Sequence, residues 1–133
     1  MDQAVILSTA RTPIAKAYRG SFNDTDAPTL ASYSIKASIA KAGIDPSEVE
    51  DVIMGAAVQQ GTQGYNIGRL SATASGLPIH VPGMSVDRQC ASGLMAIAIG
   101  AKQIACNEMD IVIGGGVESI SLGQNEVSNK YTS

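Results

Sequence analysis

The stretch that most constrains the fold runs from Pro82 to Ala105. An extended apolar run, residues 82–86, enters the turn-like segment Asp87-Arg88-Gln89-Cys90-Ala91-Ser92-Gly93. A long run of apolar and small residues, 94–105, leaves it. A short buried strand must therefore feed a closely packed helix, the unit from which α/β layers are built. Cys90 stands where strand becomes helix. A helix start offers amides without intrahelical acceptors and partial positive charge, which favours a thiolate and hence a nucleophile. A free cysteine is also commonly buried as a small hydrophobe. Position alone leaves the reactive and the structural readings both open.

The rest of the chain repeats the alternation of strand and helix patterns. Residues 4–8 (AVILS) read as a buried strand. Arg11-Thr12-Pro13 ends it and starts a loop that reaches Pro28. The loop cations Arg11, Lys16 and Arg19 could meet an anion, a distant part of the same protein, or solvent. Residues 29–42 carry apolar positions near a 3.6 period, with Gly43 as a helix-ending residue. Asp45-Pro46-Ser47-Glu48 has the cap, first-turn proline and acidic third position of a helix start. It predicts one helical turn, then a strand over 51–54. Residues 58–64 read as the loop after that strand, where ligands gather in parallel sheets. A short helix is expected over 66–75, ended by Gly76-Leu77-Pro78, and a strand over 83–86. The helix over 94–105 is apolar almost all round, which predicts enclosure on more than one side. A last strand is expected over 110–113, with Gly114-Gly115-Gly116 ending regular structure abruptly. The fold class is α/β, with a mixed or largely parallel sheet.

Composition narrows the setting. Net charge is -3, and the 12 acidic and 9 basic residues form no block, so neither nucleic acid nor an anionic membrane is implied as partner. Hydrophobic residues make up 44% but aromatics only 4%, so the core must be aliphatic with closely approaching backbones. Cys90 and Cys106, about 24 Å apart along one helix, cannot pair. A reducing, cytoplasmic compartment fits them. No basic leader precedes residues 4–10, and no apolar run reaches the roughly 18 residues of a membrane span. Residues 124–133 are polar and aperiodic, as if leaving the core of a larger protein.

Several chemistries fit poorly. Gly114-Gly115-Gly116 lacks the Gly-x-Gly-x-x-Gly spacing of a dinucleotide site, and no phosphate-binding P-loop is present. His80 stands alone between prolines, so no metal site is expected. Cysteine-based acyl transfer fits better: Cys90 could attack a carbonyl or thioester carbon while backbone N–H groups stabilise the oxyanion. Asp87 and Arg88 could orient the turn and stabilise the thiolate, or form a structural ion pair. His80 is the available proton acceptor, without geometry to support it, so the set is incomplete.

The segment Val86-Asp87-Arg88-Gln89-Cys90-Ala91-Ser92-Gly93-Leu94 closely resembles the acyl-enzyme segment of thiolases. Asp87 stands where that family commonly has asparagine. Arg11-Thr12-Pro13-Ile14, the Gln/Gly-rich loop ending at Asn66 and Arg69, and Gly114-Gly115-Gly116-Val117-Glu118-Ser119 agree with the family in the same order. The resemblance implies a thiolase-like layered α/β fold, present here as a partial N-terminal domain. Residues 1–120 would be an incomplete half-domain, and 121–133 the start of an inserted loop domain or a truncated tail. It implies thiolysis of a 3-oxoacyl-CoA, or the reverse condensation, through an acyl-Cys90 intermediate. Arg88, Gly114, Gly115, Glu118, Asn66 and Arg69 would support the site. Coenzyme A or an acyl-CoA would be substrate, with no tightly bound cofactor, and the complete protein would be a homodimer or homotetramer. The activating histidine and the proton-transfer cysteine would come from later segments. Neither His80 nor Cys106 matches them, and helix packing is the expected role of Cys106. Residues 1–133 alone are predicted inactive. Another thiolase-fold acyltransferase and a noncatalytic thiolase-like interaction module are the alternative readings.

Overall fold

The computed structural model describes residues 3–129, with side chains through Val127. Helix α1, Ala27–Ala42, opens under Asp26, whose carboxylate accepts the Thr29 N–H at 2.9 Å, and closes at Gly43 in the left-handed region at φ 70°. The single turn Pro46–Glu48 carries the reciprocal bonds expected from its sequence: Asp45 accepts the Ser47 N–H and Glu48 accepts the Asp45 N–H. Strand β1, Asp51–Gly55, follows. Then come the turn Gly61–Gln63, α2 (Ile67–Ala74), β2 (Gly83–Val86), α3 (Ser92–Ala105), β3 (Val112–Gly116), α4 (Ile120–Gly123) and α5 (Glu126–Asn129).

The sheet has the order β2-β1-β3 and is parallel throughout. Its central strand is buried on both faces, which is why β1 reads as a continuous apolar run rather than an alternation. Val52 and Met54 join the cluster of Ala27, Ala31, Ile35 and Ile67 from α1 and α2. Ile53, pointing the other way, meets α3 at Gly100. Helices therefore lie on both faces, and β1 ties them together.

Three expectations need correction. Residues 4–8 form no strand: Val5, Ile6 and Leu7 are 69%, 76% and 61% exposed. An apolar run supplies β-propensity but not a ladder, and the segment instead lies along α1, where the Ser8 hydroxyl donates to the Ser38 carbonyl at 2.7 Å. Helix α3 is not enclosed on more than one side among the described residues. Ser92, Ala96 and Gly100 form its buried stripe, while Leu94 is 72% exposed. Hydrophobicity all round a helix announces a need for cover, and here only the sheet answers it. Finally, the triple glycine does not end regular structure but forms the last three residues of β3. A Cβ on Gly114 would lie 2.8 Å from the Ile97 Cα, so glycine lets the strand continue directly beneath α3. Of the polar tail, residues 130–133 lie outside the described residues, and the earlier part contains α5. Among the described residues no helix is long and apolar enough to cross a membrane.

Candidate active site

Parallel strands place their carboxyl ends side by side. Gly55 lies opposite Val86 on one edge and Gly116 on the other. Just past those ends the Ala56 N–H donates to the Val86 carbonyl and the Val117 N–H to the Gly55 carbonyl, both at 3.0 Å. The first turn of α3 rests directly on this platform. A Cβ on Gly55 would sit 2.2 Å from the Ser92 carbonyl carbon, closer than any side chain can be accommodated.

The turn from β2 into α3 is closed by side chains as well as backbone. Asp87 Oδ1 accepts the Gln89 N–H at 2.8 Å. The buried Ser92 hydroxyl accepts the Arg88 N–H at 2.8 Å and donates to the Gln89 carbonyl at 2.6 Å. Backbone bonds from Ala91 to Arg88 and from Ser92 to Gln89 complete it. Between these ties Gln89 is held at φ 51°, a left-handed conformation that is costly for a non-glycine residue and concentrates at functional sites. Cys90 follows immediately, exposed and unpaired with any other cysteine. It stands just before Ala91, the residue that precedes the helix, rather than within the first turn. No side-chain hydrogen bond caps the helix start, which begins two residues after Cys90. The thiol therefore stands exposed on a sharp, strained strand-to-helix turn.

Two loops flank this turn. Glu118 receives the N–H groups of Ala57 at 2.8 Å and Val58 at 3.1 Å, joining the loop after β1 to the loop after β3. Gln63 stands behind it, wholly buried. Its amide nitrogen donates to the Val58 carbonyl and the Glu118 carboxylate, and its oxygen accepts the Ser119 N–H at 2.7 Å. Sequence reasoning singled out Glu118 but not Gln63 or Ser92. One glutamine in a Gln/Gly loop and one serine in a turn carry no signal until their partners are known.

The remaining expected site residues divide by location. Gly114 and Gly115 lie in β3, Gly114 beneath α3 and Gly115 paired with Met54. Arg88 is exposed beside Cys90. Asn66 and Arg69 face a different task. Asn66 accepts the Arg69 N–H at 3.0 Å as the cap of α2 and donates to the Gly83 carbonyl at 2.7 Å. The Arg69 guanidinium donates to the carbonyls of Ile79, at 3.0 Å, and Val81. They secure the chain entering β2, at the end of the strand away from Cys90. His80 is exposed in that same entry, with the whole of β2, about 13 Å of extended strand, between it and the Cys90 turn. Cys106, expected to pack within a helix, is instead exposed as the residue that ends α3.

The cationic loop joins the carboxyl-end side of the sheet. The Tyr18 N–H donates to Ser121 Oγ at 2.9 Å, and the Tyr18 hydroxyl donates to the Gln124 carbonyl at 2.6 Å. A cleft of about 170 Å³ lies between this loop and the loop after β3, with Lys16, Phe22 and Glu118 on its walls. It is smaller than the roughly 300 Å³ at which organic-ligand pockets begin. Two perturbed carboxyls lie at the opposite end of the sheet. Hydrogen bonds from the Asp110 and Ile111 N–H groups hold Glu50 below its usual range. Burial pushes Asp51 up, partly offset by the Val52 N–H. Both serve strand starts. No trio of metal-ligating side chains occurs among the described residues.

The fold and the site together define a class: a layered α/β scaffold that presents an exposed cysteine on the turn leading into its packed helix. Comparison with known proteins makes the class specific. Residues 4–133 match the family model described as "Thiolase, N-terminal domain", and the chain belongs to the thiolase family. A peroxisomal 3-ketoacyl-CoA thiolase of Arabidopsis thaliana is 42% identical over 90% of this chain and 26% of its own length. An acetyl-CoA acetyltransferase of Cupriavidus necator is 40% identical over 91% of this chain and 30% of its own length. The crystal structure of the Bacillus anthracis acetyl-CoA acetyltransferase superposes with a TM-score of 0.86 at 34% identity, covering 91% of this chain and 30% of that one. The chain thus spans between a quarter and a third of the length of these relatives.

Proposed function

We propose that the full-length protein is a CoA-dependent acyltransferase that cleaves a 3-oxoacyl-CoA, or runs the reverse condensation, through an acyl-Cys90 intermediate. The observation that carries this reading is the exposed Cys90, held by a strained turn over the carboxyl ends of three parallel strands. In cleavage the Cys90 sulfur attacks the 3-oxo carbon. The bond between that carbon and C2 breaks, and the enolate leaves as acetyl-CoA after taking a proton. The thiol of a second CoA attacks the acyl-Cys90 carbon, frees the cysteine and carries away an acyl-CoA shortened by two carbons. Condensation reverses the sequence from acetylated Cys90. Arg88, Gly114, Gly115 and Glu118 support the turn and its platform. Asn66 and Arg69 instead secure the chain entering β2. The groups that activate the thiol and move the enolate proton belong to protein beyond these residues, and coenzyme A or its thioester is the substrate, without a tightly bound cofactor. Unpaired Cys90 and Cys106 support a reducing compartment such as the cytoplasm. The family supports a homodimer or homotetramer.

The test uses the full-length protein. Incubation with acetyl-CoA should add one acetyl group to the peptide containing Cys90, and 3-oxoacyl-CoA plus CoA should release acetyl-CoA. Cys90→Ala should abolish both, lowering turnover by several orders of magnitude. Undiminished turnover in that variant overturns the mechanism. Residues 1–133 alone should show negligible turnover. An unacetylated Cys90 in a natural protein of mass near 13.6 kDa would favour a noncatalytic interaction module instead.

A further inference from the structure

Gln63 is the largest polar side chain among the fully buried described residues. An apolar residue would fill that volume with no polar atoms to satisfy, so an amide there points to a specific set of partners. Those partners belong to both loops beside Cys90. Through its nitrogen Gln63 holds Val58 and Glu118, and through its oxygen it holds Ser119. Glu118 in turn holds Ala57 and Val58. The clamp therefore closes two to three residues beyond Gly55 and Gly116. Those two glycines are the backbone surface against which Ser92 and Gly93, the start of α3, are pressed. If the clamp opens, the platform under the nucleophile turn loses its fixed spacing.

We propose that Gln63, acting through Glu118, is a positioning residue for Cys90: it holds the loops leaving β1 and β3 in one arrangement and so fixes the turn between them. The role assigned to Cys90 rests on the acyl-transfer reading above. The clamp itself is a matter of geometry and is tested separately.

The experiment compares full-length wild type with Gln63→Met and Gln63→Glu. Met matches the volume and lacks the hydrogen bonds. Glu keeps the shape but sets a second carboxyl against Glu118. Two carboxyls at hydrogen-bond distance share one proton in acid and repel once both ionise. Lys16, on the wall of the neighbouring cleft, is the nearby cation to neutralise in a control, Lys16→Gln. The first readout is hydrogen exchange in the peptide spanning residues 86–94, and the second is the rate of Cys90 acetylation by acetyl-CoA per folded molecule. Met should raise exchange in 86–94 about tenfold and slow acetylation 10- to 100-fold at every pH, since about 1 Å of misplacement costs roughly that much. Near pH 5 Glu keeps the bonds to Glu118 and Ser119 but not the one to the Val58 carbonyl, so it should run between wild type and Met there and fall to the Met level by pH 8, with or without Lys16. If Met proves unable to fold, the pH dependence of Glu stands alone as the test. Faster exchange confined to residues 56–64 and 117–119, with 86–94 unchanged, overturns the proposal. So does a wild-type acetylation rate in both variants. Loosening of 86–94 in a protein whose wild-type Cys90 is never acetylated upholds the clamp and sinks the acyl-transfer reading alone.

Discussion

Replacing Gly55 by alanine probes the contact on which the candidate site depends. The added Cβ would lie 2.2 Å from the Ser92 carbonyl carbon, 2.4 Å from its oxygen and 2.5 Å from the Gly93 nitrogen. Ordinary contact begins at 3.4 Å, so β1 and the start of α3 must separate by about 1 Å. All three neighbours are backbone atoms, and no side-chain rotation can relieve them. Overpacking of this kind costs about 3 kcal/mol, the upper end of the usual range. A shift of about 1 Å in a nucleophile costs roughly 100-fold in rate. Gly43→Ala is the matched control. Its φ of 70° strains an alanine by about 1 kcal/mol, but nothing lies within 4 Å of the new Cβ and the residue is at the far end of α1. In the full-length protein, Gly55→Ala should lose about 3 kcal/mol in urea unfolding and acetylate Cys90 about 100-fold more slowly. Gly43→Ala should lose only stability. If Gly55→Ala acetylates Cys90 as fast as Gly43→Ala does, the argument from backbone contact is refuted.

Other perturbations separate the fold from the site. Asn66→Ala removes the cap of α2 and the bond to the Gly83 carbonyl. It should cost about 1–2 kcal/mol in denaturant unfolding while acetylation per folded molecule stays close to wild type. Ile53→Ala empties a wholly buried position at the centre of β1 and should cost about 3–4 kcal/mol by the same measurement. Glu50 titrates below its ordinary value of 4.5 when folded, so its stabilisation is present above that pH and is lost as pH falls through the lower folded value. Glu50→Gln should flatten the acid side of the stability–pH curve. Asp51 has the opposite sign: raised above 3.8 by burial, it favours the fold below that pH and loses that contribution as pH rises through its folded value. Asp51→Asn should therefore be more stable than wild type near neutrality.

The alternation of patterns already contained the order of elements, because period, caps and breakers are local. The Asp45-Pro46-Ser47-Glu48 box and the Gly43 helix end occur as read, each depending on residues only a few positions apart. Residues 4–8 and α3 show where local reading stops. Both are apolar enough to be buried, yet burial needs a partner surface, and the described residues supply none for Val5, Ile6 and Leu7 and one face only for α3. The triple glycine misled for a related reason. Glycine is a poor strand former in isolation, but under α3 its missing side chain is what permits the strand to pass.

The turn that presents Cys90 was legible because its neighbours in sequence are also its neighbours in space. Asp87, Gln89 and Ser92 build the turn within a few residues of the thiol. The platform and clamp were not legible, because their parts come from far along the chain. Gly55 meets Ser92, and Gln63 meets Glu118 and Ser119, pairs related only by where the parallel strands end. Local pattern thus places the thiol on the strand-to-helix turn from the chain alone. What holds that turn in place depends on long-range contacts, which have no sequence period and exist only once the sheet has formed.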